Sequence, residues 1–312
     1  MGRKIILDCD PGIDDALAIC LALSDPRLEV LAITACAGTV DADQATTNVH
    51  TLVERLDPPL MPRIGAALNP GPGCAVSDGS DLHGERGLGS AQWAPVSRQH
   101  CIPSDKLIID QVRANPEQVT IVCTGPLTGL AHALNRDPAI AGMIDRVILT
   151  GGSVANIGNV TPSAEFNMHF DPVGARAVLR SQTTKLLLPL EVTNRLEFGW
   201  EFVERLPSRS TRVGELMQEI VPHYFRTTRQ RLGRETVAFQ SLMPLVLLND
   251  SSLFSFQPMA GDLELTGELT RGTTVFDRRL PQVWRNNMEV AVDLDLDSAF
   301  DEIYQLLKYV AR

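Results

Sequence analysis

The sequence of 312 residues predicts an α/β fold in which a mostly parallel central sheet is flanked by helices. Apolar runs of strand length alternate with segments of helical period as far as residue 190, and this alternation is typical of βαβ units. Beyond that point the pattern becomes more irregular. Because no low-complexity linker, charge block or internal repeat interrupts the chain, we expect one domain that spans residues 1–312.

The individual elements follow from the periodicity of the apolar residues. Short apolar runs predict strands at Lys4–Cys9, Val30–Cys36, Pro62–Ala66, Val119–Cys123, Val147–Thr150 and Leu186–Leu190. Helical spacing predicts helices at Asp14–Ser24, Asp43–Leu56, Leu107–Arg113, Leu127–Leu134 and Pro172–Leu179. The C-terminal third adds a long amphipathic helix at Arg212–Leu232, an apolar element at Met243–Phe254 and a closing helix at Ala299–Tyr309. It also adds a hairpin of Leu263–Leu265 with Thr273–Phe276 and a strand at Val290–Leu294. The glycine-rich loop from Asn69 to His100 is long for a connection, and we expect a mobile active-site loop there.

The composition argues against several classes of function. The chain has 28 Lys and Arg against 38 Asp and Glu, for a net charge of −10, whereas a nucleic-acid-binding protein needs a basic face. No window of about 18 uncharged apolar residues is present, so we expect no transmembrane helix. The N-terminus lacks the apolar stretch of a signal peptide, and none of the six cysteines forms a C-x-x-C pair. We therefore predict a cytoplasmic protein with buried thiols that binds neither nucleic acid nor membrane.

Four carboxylates crowd the end of the first predicted strand, in the segment DCDPGIDD at residues 8–15. Asp8 and Asp10 share one face of the strand because side chains alternate, and Asp14 and Asp15 open the next helix. Open α/β sheets place ligands at this edge. Because the segment contains no Lys or Arg, a hard divalent cation such as Ca²⁺ or Mg²⁺ is the favoured counter-charge. The alternative is that Asp14 caps the helix and Asp15 complements its dipole, which leaves Asp8 and Asp10 unexplained.

The segment DCDPGIDDALAI at residues 8–19 resembles the N-terminal fingerprint of the inosine–uridine-preferring nucleoside hydrolases. The resemblance continues in order through HGERGLG at 83–89, TGPLTGLA at 124–131, GNVTPSAEFN at 158–167, DP at 171–172 and GELTRGTTVFDRR at 267–279. It implies a single α/β domain with a Rossmann-like core, a tightly bound Ca²⁺ and a homodimer or homotetramer. The implied reaction is hydrolysis of the N-glycosidic bond of ribonucleosides to base and ribose.

The resemblance also implies roles for individual residues. Ca²⁺ would be held by Asp10, Asp15, the backbone carbonyl of Thr124, and Asp250. Asp10 would in addition take the proton from the attacking water. Residues that would bind or surround the substrate are Asp14, Thr39, His83, Thr150, Asn159, Glu165, Asn167 and Asp250. The residue types suit this chemistry, because breaking the glycosidic bond leaves positive charge on the sugar and carboxylates stabilise that charge.

Three positions depart from the family pattern and predict an altered base preference. Asn249 precedes Asp250 where many members have the His that protonates a purine, and an Asn cannot act as an acid near neutral pH. Thr39 stands where Asn is usual, and Thr150 where Met is usual. Either the leaving base then needs less protonation, or another side chain assists it, and the candidates are His83, His169, His223, Tyr224 and Arg229.

Three other interpretations remain open. A haloacid-dehalogenase-type phosphatase has an Asp-x-Asp at a strand end, as in Asp8-Cys9-Asp10, but normally continues into Gly-Thr or Gly-Val, and no convincing copy of its later Lys and acidic pair is present. A Ca²⁺-dependent ribosyl-binding relative would have lost turnover through Asn249 and Thr39. The third possibility is an α/β protein whose acidic cluster is accidental.

Overall fold

The computed structural model describes residues 2–94, 102–155 and 157–310. Its strands are β1 (Arg3–Cys9), β2 (Leu28–Ala35), β3 (Arg63–Ala66), β4 (Ile102–Pro103), β5 (Val119–Cys123), β6 (Arg146–Thr150), β7 (Lys185–Leu188), β8 (Glu197–Phe198), β9 (Val237–Ala238), β10 (Phe254–Met259), β11 (Gly261–Leu263), β12 (Thr274–Phe276) and β13 (Met288–Leu294). Its α-helices are α1 (Ile13–Ser24), α2 (Ala42–Leu56), α3 (Ser80–His83), α4 (Ser104–Ala114), α5 (Thr128–Arg136), α6 (Phe166–Phe170), α7 (Pro172–Arg180), α8 (Leu190–Thr193), α9 (Glu201–Glu204), α10 (Arg212–Leu232), α11 (Met243–Asn249) and α12 (Leu296–Val310).

The predicted central sheet is confirmed. Nine strands pair in the order β10-β13-β7-β6-β5-β1-β2-β3-β4, and within the described residues every neighbouring pair is parallel except β10 with β13. Strands β2 to β4 extend the sheet to one side of β1, whereas β5 to β7 extend it to the other side. The direction of strand addition therefore reverses between β1 and β5, and open α/β sheets bind ligands in the crevice at such a reversal.

The residues after β1 and β5 are held side by side at this reversal. Asp8 pairs in register with Cys123, and the Thr124 amide donates to the Asp8 carbonyl oxygen over 2.9 Å. On the other side of β1, the Cys36 amide donates to the carbonyl oxygen of Cys9 over 2.8 Å. The loops that carry Asp10, Thr124 and Thr39 consequently leave the sheet at one point.

Helices cover both faces of the sheet, because the buried strands are apolar on both sides. Ile5 and Leu7 face a core that includes α1, α2, α10, α11 and α12, whereas Ile6 faces a second core that includes α4, α5 and α7. Helix α1 is buried along most of its length, including Ile13 and Leu21. No helix in the described part of the chain is both long and apolar enough to cross a membrane.

The structure departs from the sequence prediction mainly in the C-terminal third. The predicted apolar element Met243–Phe254 is divided, since α11 ends at Asn249 and β10 begins at Phe254. Asp250 stops the helix with an extended backbone, φ −143°, and its carboxylate accepts from the Ser252 amide over 2.9 Å. The predicted hairpin is present as β11 and β12. The long loop contains α3, but residues 95–101 lie outside the described residues, so its mobility stays a prediction.

Candidate active site

Asp10 forms the floor of the candidate site at the carboxyl end of β1. It is only 4% exposed, and its Oδ2 accepts from the Thr39 amide over 2.6 Å and from the Thr39 hydroxyl over 2.9 Å. The Asp10 amide donates to Asp15 Oδ2 over 3.0 Å. The structure therefore brings together Asp10, Asp15 and Thr39, as the sequence predicts.

Two glycines enclose the Asp10 carboxylate. A Cβ atom on Gly38 would lie less than 3.0 Å from Asp10 Oδ2, and one on Gly125 would lie less than 3.0 Å from Asp10 Oδ1. Real Cβ atoms essentially never approach other atoms this closely. The two positions therefore need glycine because the carboxylate occupies the space of a side chain.

Burial and, for three of them, repulsion from Asp15 raise the pKa values of the four carboxyl groups in residues 8–15. Burial, and then the charge of Asp15, raises the pKa of Asp10 well above its ordinary value and that of Asp14 to about 8. Burial likewise raises the pKa of Asp15, and that of Asp8 to about 7. None of the four takes part in a salt bridge within the described residues. The cluster therefore needs positive charge from outside the chain, or protons, to be stable.

A polar wall stands beside the floor, after β5 and β6. The Asn167 side-chain amide donates to the carbonyl oxygens of Thr124 and Thr150, over 2.8 Å and 3.0 Å. Glu165 Oε2 accepts from the Gly152 and Met168 amides over 3.0 Å and 3.1 Å, and so caps α6. The predicted residues Thr124, Thr150, Glu165 and Asn167 are thus grouped and buried. Asn159 is exposed at the rim of this wall, where its Oδ1 accepts from the Phe166 amide over 2.8 Å.

The opposite wall contains a residue that the sequence does not reveal. Ser241 donates to Asp14 Oδ2 twice, from its amide over 3.1 Å and from its hydroxyl over 3.0 Å. Burial raises the pKa of Asp15, and the nearby Ser241 side chain opposes part of that rise. Ser241 lies in the short 3-10 turn Gln240–Leu242 that precedes α11. A lone serine in an apolar segment carries no sequence signal, and only the fold shows its contact with the acidic cluster.

The structure contradicts the roles predicted for Asn249 and Asp250. The Asn249 amide donates to Asp25 and Glu302, over 3.0 Å each, and Asp25 follows the last residue of α1. At 1.5 Å per residue, Asp25 lies about 16 Å along α1 from Asp14. Asp250 is exposed beside Asn249 and accepts from Ser252. Asn249 therefore does not stand in for a catalytic His, and Asp250 is neither a metal ligand nor a ribose contact.

His83 is brought to the site by the loop that follows β3. Its Nδ1 accepts from the Ile13 amide over 3.1 Å, at the start of α1, and its ring stacks on Tyr224 with the centroids 4.7 Å apart. Because Nδ1 is an acceptor, the neutral ring carries its proton on Nε2. Burial, and then the charge of His223, lowers the pKa of His83 to about 4, so the ring is neutral at pH 7.

The remaining candidate donors are less well placed. The His169 Nδ1 is within 3.0 Å of the Arg271 carbonyl oxygen, and Arg229 forms an exposed ion pair with Glu235. His223 Nε2 is buried without a hydrogen-bond partner, and the side chain of His223 lies against Gly89 of the loop. Among the five candidate donors, His83 accepts from the Ile13 amide at the start of α1, and Tyr224 stacks on the His83 ring.

The donor atoms at the floor suit a hard cation. Asp15 Oδ1, Asp14 Oδ1 and Thr124 Oγ1 are buried without a hydrogen-bond partner. Asp10, Asp15 and the Thr124 carbonyl supply oxygen donors, which Ca²⁺ and Mg²⁺ prefer. Within the described ranges no three His, Cys, Asp or Glu side chains form a group that could hold a metal ion, so the carboxylates need help from neutral oxygens.

Comparisons with known proteins identify the family to which this chain belongs. The family model described as inosine-uridine preferring nucleoside hydrolase matches residues 5–301. The chain is 36% identical to the non-specific ribonucleoside hydrolase RihC of Salmonella enteritidis PT4, over 98% of this chain and 97% of that protein. It is 32% identical to the pyrimidine-specific ribonucleoside hydrolase RihA of Salmonella arizonae, over 99% of each.

Solved structures show the same relationship. A purine-preferring ribonucleoside hydrolase from Gardnerella vaginalis superposes with a TM-score of 0.90 at 25% identity, covering 99% of both chains. A plant nucleoside hydrolase, PpNRh1, gives 0.88 at 28% identity, covering 100% of this chain and 99% of its own. The family is metal-dependent. The chain belongs to the inosine–uridine preferring nucleoside hydrolase family and is therefore a nucleoside N-ribohydrolase.

Proposed function

We propose that this chain is a Ca²⁺-dependent hydrolase of ribonucleosides and that Asp10 takes the proton from the attacking water. The observation that carries the proposal is the buried Asp10 carboxylate, which two hydrogen bonds from Thr39 and two close glycines hold in one position. A fixed base of this kind costs little reorganisation when the reaction occurs. The relatives act on ribonucleosides by name but differ in base preference, which supports the substrate class and leaves the base open.

The charges of the site suit the reaction. Breaking the glycosidic bond leaves positive charge on the ribose ring, and Asp10, Asp14 and Asp15 can supply negative charge there once a bound cation offsets their raised pKa values. Asp10, Asp15 and the Thr124 carbonyl would hold Ca²⁺, which supplies a positive charge that lowers the pKa of water. Asp14 would bind the ribose hydroxyls, because its Oδ1 has no partner within the described residues.

The panel of substrates that tests the proposal contains purine and pyrimidine ribonucleosides and their 2′-deoxy analogues, with Ca²⁺ added. We expect base release from at least one ribonucleoside and a rate at least about 100-fold lower for its 2′-deoxy analogue, since the carboxylate built for that hydroxyl is left unpaired. Release of reducing sugar measures both rates. Ribonucleoside binding without any turnover would contradict the hydrolase and favour a ribosyl-binding relative.

The leaving base is assisted by His83. Its neutral ring presents a proton on Nε2, and a neutral imidazole can donate a hydrogen bond to a departing base without becoming an imidazolium first. Tyr224 stacks on the ring, and burial, followed by the charges of Asp14 and Asp15, raises the pKa of Tyr224. Tyr224 therefore stays protonated and fixes the ring of His83 beside the acidic cluster.

A His83→Ala variant should separate this role from binding. We expect kcat/KM for natural ribonucleosides to fall about 100-fold, as for other lost transition-state donors. The rate with 4-nitrophenyl riboside should change less than about threefold, because that leaving group departs as a stable anion without assistance. Asn249→Ala is the matched control, and both rates should stay near wild type. Equal losses with both substrates in His83→Ala would contradict the assignment.

A further inference from the structure

A buried side chain of α2 connects two loops of the candidate site. Asn48 is only 2% exposed, and its amide nitrogen donates to the carbonyl oxygens of Pro11 and Arg86 over 3.0 Å and 2.8 Å. Its Oδ1 accepts from the side chain of Gln44, one turn earlier in α2, over 2.8 Å. An amide nitrogen carries two protons, and both are used here. Asn48 therefore joins the turn after β1 to the loop segment 83–89, and Gln44 fixes the direction of its amide.

A glycine of the loop segment allows this close approach. The φ of Gly87 is +80°, which side chains rarely adopt, so the position favours glycine for its backbone alone. A Cβ atom there would also lie 3.0 Å from the Pro11 carbonyl oxygen and 3.2 Å from Asn48 Nδ2. The loop segment and the turn are thus in contact at the point where the Asn48 amide joins them.

The same segment brings the His83 ring to the start of α1. Its Nδ1 accepts from the Ile13 amide over 3.1 Å, and a Cβ atom on Gly12 would lie 2.7 Å from Nδ1. The turn itself is well held, because β1 pairs with a strand on each side and the Ala16 amide donates to the Gly12 carbonyl oxygen over 2.9 Å. Residues 84–89 belong to no helix or strand. A hydrogen bond from α2 therefore has more influence on the loop segment than on the turn.

We propose that Asn48 is a positioning residue, which holds His83 against the start of α1 by binding the loop segment to the turn. This inference rests on the role of His83 in the proposed function, because Asn48 acts on the leaving base only through that ring. An apolar group of the same size would leave the carbonyl oxygens of Pro11 and Arg86 without this donor, which costs free energy when a carbonyl is buried. The loop segment would then move to expose its carbonyl to water, and His83 would move with it. Leu88, which is buried in the core, keeps the segment from leaving altogether.

Hydrogen exchange of the Ile13 amide, followed by NMR, tests the role of Asn48 without using activity. The His83 ring accepts from this amide, so a displaced ring leaves it open to water. The Val122 amide in the central strand β5 reports the stability of the whole fold. We expect Asn48→Leu to speed exchange at Ile13 at least about tenfold beyond any change at Val122. Asn135→Leu, which makes the same change at an exposed position of α5, is the matched control and should match wild type.

The activity of the same variant should show the pattern of a misplaced His83. We expect kcat/KM for natural ribonucleosides to fall about tenfold in Asn48→Leu, and the rate with 4-nitrophenyl riboside to change less than about threefold. In the His83→Ala protein, Asn48→Leu should cost less than about twofold more, because the group that it positions is already absent. If Asn48→Leu fails to fold, Gln44→Met takes its place. That change removes the donor that orients the amide and should speed exchange at Ile13 about threefold.

Equal acceleration at Ile13 and Val122 would overturn the inference, and so would a full additional loss in the His83→Ala protein or equal losses with the two substrates. Failure of the proposed function looks different. Absence of ribonucleoside cleavage by wild type, together with the expected exchange at Ile13, would reject the hydrolase and support the role of Asn48. Cleavage by wild type alongside unchanged exchange at Ile13 in Asn48→Leu would do the reverse.

Discussion

An Asp10→Asn variant should lose at least about 1000-fold in kcat with ribonucleosides while it keeps its fold. The amide has nearly the same shape as the carboxylate, but it cannot accept a proton from water near neutral pH. It also removes one of the two charges that would hold the cation. The loss should therefore appear in kcat even at saturating substrate and CaCl₂, as measured by release of reducing sugar.

The metal-free Asp10→Asn protein should be at least as stable as wild type, in contrast to its loss of kcat. Burial and the charge of Asp15 raise the pKa of Asp10, so the metal-free protein loses stability as the pH rises from the ordinary pKa of a carboxyl group towards that raised value. At pH 8 with chelator, Asp10→Asn should therefore unfold at a temperature equal to or above that of wild type, and added CaCl₂ should stabilise it less than wild type.

Asp250→Asn is the control for both measurements. It makes the same chemical change at an exposed carboxylate that contacts only Ser252 among the described hydrogen bonds. Its kcat and its response to CaCl₂ should be those of wild type. A large loss of kcat in Asp250→Asn, or near-normal kcat in Asp10→Asn, would contradict the site described for this chain.

The half of the site that can be predicted from the sequence lies at the ends of the N-terminal strands. Side chains alternate along β1 and open α/β sheets bind ligands at the carboxyl ends of their strands, so these rules place residues 8–15 at that edge, whereas the expectation of Thr124 at the same site came from the family resemblance. The turn at Pro11 and Gly12 also predicts the start of α1 near its observed position. Local rules and the topology of parallel sheets suffice for this part.

The other half of the site depends on which end of a helix reaches the acidic cluster. The segment 241–249 runs alongside α1, with Ser241 at Asp14 and Asn249 at Asp25. The Asn249-Asp250 pair resembles a site because it is polar and acidic and follows an apolar run. Periodicity shows that such a run is buried but not its direction relative to α1, which long-range packing decides. The prediction therefore took the wrong end of the segment.

A Gly38→Ala variant should be both less stable and nearly inactive. The added methyl group would lie within 3.0 Å of Oδ2, Cγ and Cβ of Asp10, so the methyl group or the carboxylate has to move. Overpacking of this kind costs about 2 kcal/mol in the free energy of unfolding, and a displacement of about 1 Å at a catalytic group can lower kcat about 100-fold. Urea unfolding and ribose release measure the two effects.

The control for backbone effects is Gly142→Ala, because nothing lies within 4 Å of the added methyl group there, and it should match wild type in both measurements. A double-mutant cycle with Asp10→Ala then identifies the clash. Since that change removes Oδ2 and Cγ, two of the three closest atoms, Gly38→Ala should cost less than half as much stability in the Asp10→Ala protein. If Gly38→Ala lowers the free energy of unfolding as much in the Asp10→Ala protein as in wild type, glycine is required at position 38 by the conformation of its own backbone. The close approach of Gly38 to Asp10 would then not position the Asp10 carboxylate.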